Sequence, residues 1–125
     1  MGATVDAYTS REHTLFNMQC FPGDIKKAVN ILSDMLQNPS LSKADIEAER
    51  DTIKTELEES NKDTQETIME GVHFNCFRDH MIGQPILGDI DNIDNVTQDM
   101  VKQYHSTHYV GKNIVIVGTG KVNHE

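Results

Sequence analysis

Glu49-Arg50-Asp51-Thr52-Ile53-Lys54-Thr55-Glu56 forms the centre of a run, residues 41–77, with no Pro and no Gly before Gly71. Its wealth of Glu, Lys, Ala, Ile and Leu predicts one long helix. At helical spacing Ile46, Ile53 and Leu57 fall within about 40° of one another and make a narrow apolar seam. Glu49 and Glu56 lie two turns apart, about 20° from each other and about 40–80° to one side of that seam. Glu47, Lys54 and Glu58 point to the opposite flank, at about 80–120°. Ionised carboxylates resist burial unless a cation offsets the lost hydration. On pattern alone two readings stay open: acids covering the edge of a core, or a cation, such as a metal, seated over Glu49 and Glu56. Further along, the run turns polar through residues 58–66 and apolar again at Ile68, Val72, Phe74 and Phe77. The helix therefore either bridges two packed ends or bends in its middle.

Working back towards the N-terminus, residues 4–10 and 13–21 are rich in β-branched and aromatic side chains. Val5 and Ala7, then Phe16, Met18 and Cys20, alternate with polar neighbours, which predicts two strands joined by the turn Ser10-Arg11-Glu12. Phe21-Pro22-Gly23-Asp24 stops the second strand and opens a helix, with Asp24 near its N-cap. Ile25, Ala28, Val29, Leu32, Met35 and Leu36 recur at helical spacing, so residues 24–37 bury one face. Asn38-Pro39 ends that helix, and Ser40 or Ser42 caps the long one that follows.

Towards the C-terminus, residues 78–95 carry Gly83, Pro85, Gly88 and many Asp and Asn residues, and are expected to form an irregular loop. Thr97 suits the N-cap of a short helix to about His108, with Met100, Val101 and Tyr104 inward. Asn113-Ile114-Val115-Ile116-Val117, stopped by Gly118, has the continuous apolar character of a strand covered on both faces. The expected order is β-β-α-α-α-β, an α+β arrangement in which helices pack on one face of a mixed sheet.

A chain of 125 residues, 37% hydrophobic and 25% charged, has the composition of one globular domain with a core. A net charge of −9 with no basic cluster argues against nucleic acid as a partner and favours basic ligands or peptides. Two cysteines, Cys20 and Cys76, make no disulfide framework, so a reducing compartment is expected. No apolar run reaches the length of a membrane span. Neither a secretory signal nor an Arg- and Ser-rich presequence occupies the N-terminus, so any targeting segment is expected outside this chain.

Three local patterns invite a site. Gly118-Thr119-Gly120-Lys121 follows an apolar run, but Val115 and Val122 stand where a phosphate loop needs Gly and Ser or Thr. Residues 89–94 lack the fifth-place oxygen ligand and the sixth-place Gly of a calcium loop, and are read as a solvated acidic loop. His105 with His108, and His73 with Cys76, have helical spacing for zinc, yet two ligands make no site.

Longer motifs carry a resemblance. Ala7-Tyr8-Thr9-Ser10-Arg11-Glu12-His13-Thr14 resembles the A-Y-T-S-R-E-x-T signature of the β-type mitochondrial processing peptidases. Residues 24–34 resemble the next helix of that family. Ile46 through Glu56 is similar to its I-E-x-E-R-x-x-I-x-x-E helix, Gly83-Gln84-Pro85-Ile86-Leu87-Gly88 to its G-R-x-I-L-G, and His108-Tyr109 closes the following helix. The core proteins of respiratory complex III share these motifs, and both groups are similar to the pitrilysin and insulysin zinc peptidases.

The resemblance implies a zinc site built on an inverted H-x-x-E-H, with two His ligands, a Glu general base and a third, glutamate ligand far downstream. Residue by residue, that downstream ligand is Glu56, and Glu49 is the acid behind it that orients the ligands. The strand holding Asp6, Ala7, Tyr8 and Thr9 matches the edge strand to which a substrate peptide adds. No H-x-x-E-H occurs in residues 1–125; it is expected before Met1, and the end of the domain beyond Glu125. Asp6 replaces the usual Asn, and Gln84 the usual Arg. The expectation is a partial N-terminal peptidase-like domain, inactive by itself. In the intact protein it would belong to a zinc metalloendopeptidase that removes basic, amphipathic presequences from imported mitochondrial proteins. Its expected partner is a homologous α-type subunit, in the mitochondrial matrix. The alternative is a non-catalytic core subunit of respiratory complex III, on the matrix side of the inner membrane, with that complex's subunits as partners. A weaker alternative is a bacterial processing protease of the same family.

Overall fold

A computed structural model describes residues 1–123. The elements are β1 (Thr4–Thr9), β2 (Thr14–Gln19), α1 (Ile25–Gln37), α2 (Lys43–Ser60), α3 (Thr64–Cys76), α4 (Ile90–Asn95) and α5 (Gln98–His108). Single 3-10 turns lie at Pro22–Asp24, Met81–Gly83 and Gly111–Asn113. The fold is α+β, as the sequence pattern predicts. Chain contacts divide it into two compact units, one of residues 1–9, 14–40 and the stretch from Lys102, the other of residues 10–13 and 41–101.

In the first unit β1 and β2 pair antiparallel, with Val5 opposite Met18, Ala7 opposite Phe16 and Tyr8 opposite Leu15. This two-stranded ribbon replaces the mixed sheet expected from the sequence. Its two faces follow the alternation: Phe16 and Met18 are partly covered while Leu15, Asn17 and Gln19 are exposed. Helix α1 touches β2, and Ala28, 5% exposed, is the buried residue of that helix. Ile25, Leu32 and Leu36 are half-buried as expected, but Val29 is exposed. Asp24 holds the N-cap position without a side-chain capping hydrogen bond, its Oδ1 lying 3.6 Å from Lys27 Nζ.

The end of α5 is tied into this unit. His105 Nε2 lies 2.7 Å from the Leu36 carbonyl; a carbonyl only accepts, so Nε2 carries the proton. That bond satisfies one of the last carbonyls of α1, which no helical N–H reaches. The His105 ring stacks on Tyr109 at 4.9 Å, and Phe16 meets Tyr109 edge-on at 6.4 Å. Burial pushes the Tyr109 hydroxyl above the ordinary tyrosine range, with Tyr104 adding to the shift. Tyr104, like Met100, was expected inward and is exposed.

The expected strand at residues 113–117 is absent. After the turn at Gly111–Asn113 the chain is extended at Ile114, but Val115, Ile116 and Val117 are 86%, 84% and 77% exposed. A strand exists through its neighbour's hydrogen bonds, and no described residue pairs with this one. The apolar run alone could not reveal that.

In the second unit the run of residues 41–77 is two helices. Ser42 caps α2, its Oγ accepting from the Asp45 N–H at 3.1 Å and donating to the Asp45 carboxylate at 2.6 Å. The helix closes as Lys62 N–H and Asp63 N–H turn back to the Glu59 and Ser60 carbonyls. Asp63 then starts α3, its Oδ1 accepting from Gln65 N–H at 2.8 Å and Glu66 N–H at 3.0 Å. The polar stretch offers no apolar seam to hold one axis straight, and an Asp that favours an N-cap over a helix interior takes the break. The expected loop of residues 78–95 contains a second unforeseen element, α4, capped by Asp89 Oδ1 on the Asn92 N–H at 2.8 Å. It buries Ile93, 8% exposed. Gly83 is also buried, and a Cβ there would fall 2.3 Å from the Phe77 carbonyl oxygen.

Candidate functional site: an acidic helix flank and a two-stranded ribbon

Glu49 and Glu56 sit on α2 one above the other, two turns apart. The seam of Ile46, Ile53 and Leu57 is half-buried, as the wheel predicts, whereas both glutamates are exposed rather than tucked under a core edge. What distinguishes them is the disposition of their cationic neighbours. Arg50 donates from Nε to the Ile93 carbonyl at 3.0 Å and from Nη2 to the Val96 carbonyl at 2.7 Å. Lys54 pairs with Asp94 at 2.6 Å. Both cations are turned to the flank of α2 that faces α4, so neither neutralises the opposite flank. Among the described residues no ion pair reaches Glu49 or Glu56. Glu47 has a long contact of 3.9 Å with Lys43, and Glu58 is exposed.

Two acceptor-only carboxylates without a competing cation are suited to a hard or borderline divalent metal. They are not a complete ligand set. Among the described residues no group of three or more His, Cys, Asp or Glu side chains could hold a metal. The pairs His105 with His108 and His73 with Cys76 gain no third ligand either. His105 is engaged with Leu36, and His73 Nδ1 lies 2.8 Å from the Met69 carbonyl.

In the first unit, Asp6, Ala7, Tyr8 and Thr9 form most of β1, and every residue of that strand is exposed. Among the described residues β1 and β2 form a two-stranded sheet, so the side of β1 away from β2 is an edge of that sheet. Asp6 Oδ1 accepts from the Ala7 N–H at 3.0 Å, a bond that an Asn side-chain oxygen would make equally well. The Asp for Asn departure therefore keeps this local bond and adds a negative charge.

Sequence reasoning missed a third feature. A cleft of about 470 Å³ in the second unit is lined by Leu57, Pro85, Ile86, Leu87, Glu70 and Asp91 among others, and by neither Glu49 nor Glu56. Glu70 is already engaged, bonding Arg11 Nη2 at 2.6 Å while Arg11 Nε donates to the Ile82 carbonyl at 3.0 Å. The G-x-x-I-L-G spacing marked this turn but not the walls around it.

Comparison with known proteins gives these parts a context. The sequence pattern described as Insulinase (Peptidase family M16) matches residues 1–90. Core protein I of the mitochondrial ubiquinol-cytochrome-c reductase complex from Euglena gracilis is 40% identical over 99% of this chain and 25% of its own length. The β subunit of human mitochondrial-processing peptidase is 38% identical over 100% of this chain and 26% of its own. The corresponding subunit from Lentinula edodes is 39% identical over 100% of the chain and 27% of its own length. The chain thus spans about a quarter of the relatives it matches, and those relatives are mitochondrial proteins.

Proposed function

From the premise that this chain belongs to the insulinase family of peptidases, peptidase family M16, we propose that it is part of a mitochondrial zinc metalloendopeptidase that removes presequences. The observation that carries this reading is the pair Glu49 and Glu56, left without an ion pair among the described residues by an arginine and a lysine committed elsewhere. In this reading Glu56 is the zinc ligand and Glu49 the carboxylate that orients the ligand set. When bound, zinc would lower the pKa of a water and polarise the scissile carbonyl. The two His ligands and the general base would come from an H-x-x-E-H outside these residues.

The protein's own contribution to substrate is β1. Its edge away from β2 offers backbone groups to an extended peptide, which would add as a third strand. A net charge of −9 favours the encounter with a basic, amphipathic segment. The proposed partner is a homologous α-type subunit, in the matrix.

A second reading has an observation of its own, the 40% identity to a core protein of the ubiquinol-cytochrome-c reductase complex. Such a subunit would keep the fold and the helix while acting as scaffold on the matrix side of the inner membrane. The bacterial processing protease is the weaker third reading. One experiment separates the first two. The full-length protein, purified with its partner, is assayed for bound zinc and for cleavage of a basic amphipathic presequence peptide. Stoichiometric zinc and cleavage lost in Glu56→Gln are expected of the peptidase. Neither metal nor cleavage in the parent would make the scaffold the better description.

A further inference from the structure

We propose that Arg50 is a positioning residue for the metal site, fixing the rotation of α2 so that the Glu49 and Glu56 flank faces the metal; this rests on the zinc reading of Glu56 above. Arg50 is half-buried and spends two N–H groups on one target, the C-terminal end of α4: Ile93 O at 3.0 Å and Val96 O at 2.7 Å. These carbonyls belong to the end of a helix, where no helical N–H reaches them and where the dipole favours a cation. The guanidinium is planar and forked, so gripping two carbonyls fixes its orientation as well as its position.

Beneath the grip lies Ile93, the buried residue of α4, which anchors the target. One turn further along α2, Lys54 reaches Asp94 of the same helix at 2.6 Å. Two successive contacts on one flank oppose rotation of α2 about its own axis. On the wheel Arg50 lies about 100–120° from Glu49 and Glu56. A roll of α2 that lengthened the Arg50 bonds would therefore swing both carboxylates sideways. A ligand must be held to within about 0.5 Å and 10–20° for productive geometry, a tolerance that a loosened helix would exceed. Arg50 touches neither metal nor substrate in this account; it acts through the helix that carries the ligand.

The test uses the full-length protein with its partner, and cobalt(II) in place of zinc as the probe. Arg50→Lys keeps the charge and loses the fork. It is expected to weaken cobalt affinity about tenfold, as outer contacts of metal ligands do, and to change the visible absorption spectrum of the bound ion. Lys54→Gln is expected to move both readouts in the same direction by less. Glu56→Gln is the reference and should lose the ion. If Arg50→Lys lowers the melting temperature of the metal-free protein but leaves affinity and spectrum unchanged, Arg50 is only structural and the proposal falls, with the zinc reading intact. If Glu56→Gln still binds cobalt with an unchanged spectrum, the zinc reading falls and the proposal with it. Should Arg50→Lys fail to fold, Lys54→Gln decides, and unchanged affinity and spectrum there overturn the clamp.

Discussion

At the scale of single residues, Glu49, Glu56 and Glu58, three of the glutamates of α2, should differ sharply. In the full-length protein Glu56→Gln is expected to abolish zinc-dependent cleavage, because a neutral amide is a poor zinc ligand. Glu49→Gln should cost about 10–100-fold in metal affinity or activity, and Glu58→Gln should do little. Bound zinc and peptide cleavage measured in all three would check the ranking, and equal sensitivity of Glu58 and Glu56 would place the register in error. Tyr109 makes a separate prediction. Its folded-state pKa is raised by burial and by Tyr104, so the unfolded chain loses this proton first as pH rises past about 10. Stability is therefore unaffected by this group at neutral pH and falls as pH climbs through the folded-state value. Tyr109→Phe should lessen that alkaline fall, read as the difference in urea midpoints between about pH 9 and pH 11. The wheel recovered the seam and the relative placement of Glu49, Glu56 and Lys54. It could not reveal that Arg50 and Lys54 are tied to α4, since residues 93–96 are distant in sequence and their helix went unrecognised.

At the scale of elements, both helices of the central run depend on one capping side chain each. Ser42→Ala removes the bond to the Asp45 N–H, and Asp63→Ala removes those to Gln65 and Glu66. Each should cost about 1 kcal/mol of stability, measurable by chemical denaturation of the full-length protein. Asp63→Ala is expected to cost more than Ser42→Ala, because it frees two N–H groups instead of one; the reverse order would count against the break at residues 61–63 as a true helix start. Helix starts and stops were largely legible. Thr97 and the choice between Ser40 and Ser42 came from capping chemistry, and the hairpin came from its alternation and its turn. The break before Asp63 was foreseen only as a bend, one of two alternatives, since a polar stretch of Glu, Asn and Lys is helix-compatible by composition. Helix α4 was missed because at six residues it is too short to establish a period.

At the scale of the whole molecule, the described residues leave much apolar surface in water, with Ala28 and Ile93 the buried hydrophobic residues. The 125 residues expressed by themselves are expected to bind zinc weakly, to leave a presequence peptide uncut, and to be poorly soluble or to need a partner chain. Metal-dependent turnover by this segment alone would show that the ligand assignment is wrong. The segment Ile114–Val117 is the main hazard, being β-branched, uncharged and exposed. Val115→Lys with Val117→Lys should raise the solubility of the isolated segment, as measured by the concentration at which light scattering begins. If scattering were unchanged, the exposed faces of α3 would be the larger hazard. The fold class was legible from composition and period. That the last apolar run pairs with no described residue was not legible, because a strand's neighbour is a property of the whole chain and not of its own residues.

Gly83 has an implication for how this sequence can drift. Every codon change away from glycine adds at least a Cβ, and at this position that atom would meet the Phe77 carbonyl at 2.3 Å. Neither a backbone oxygen nor the end of α3 can step aside as a flexible side chain would. The same turn presents the Ile82 carbonyl that Arg11 holds, so a shift here would also loosen the hairpin turn of residues 10–13. In a saturation library scored for folded protein, position 83 should thus behave as a genetic dead end, with Ala and Ser depleted nearly as strongly as bulky residues. Gly71, where an added Cβ meets nothing within 4 Å, should accept Ala freely.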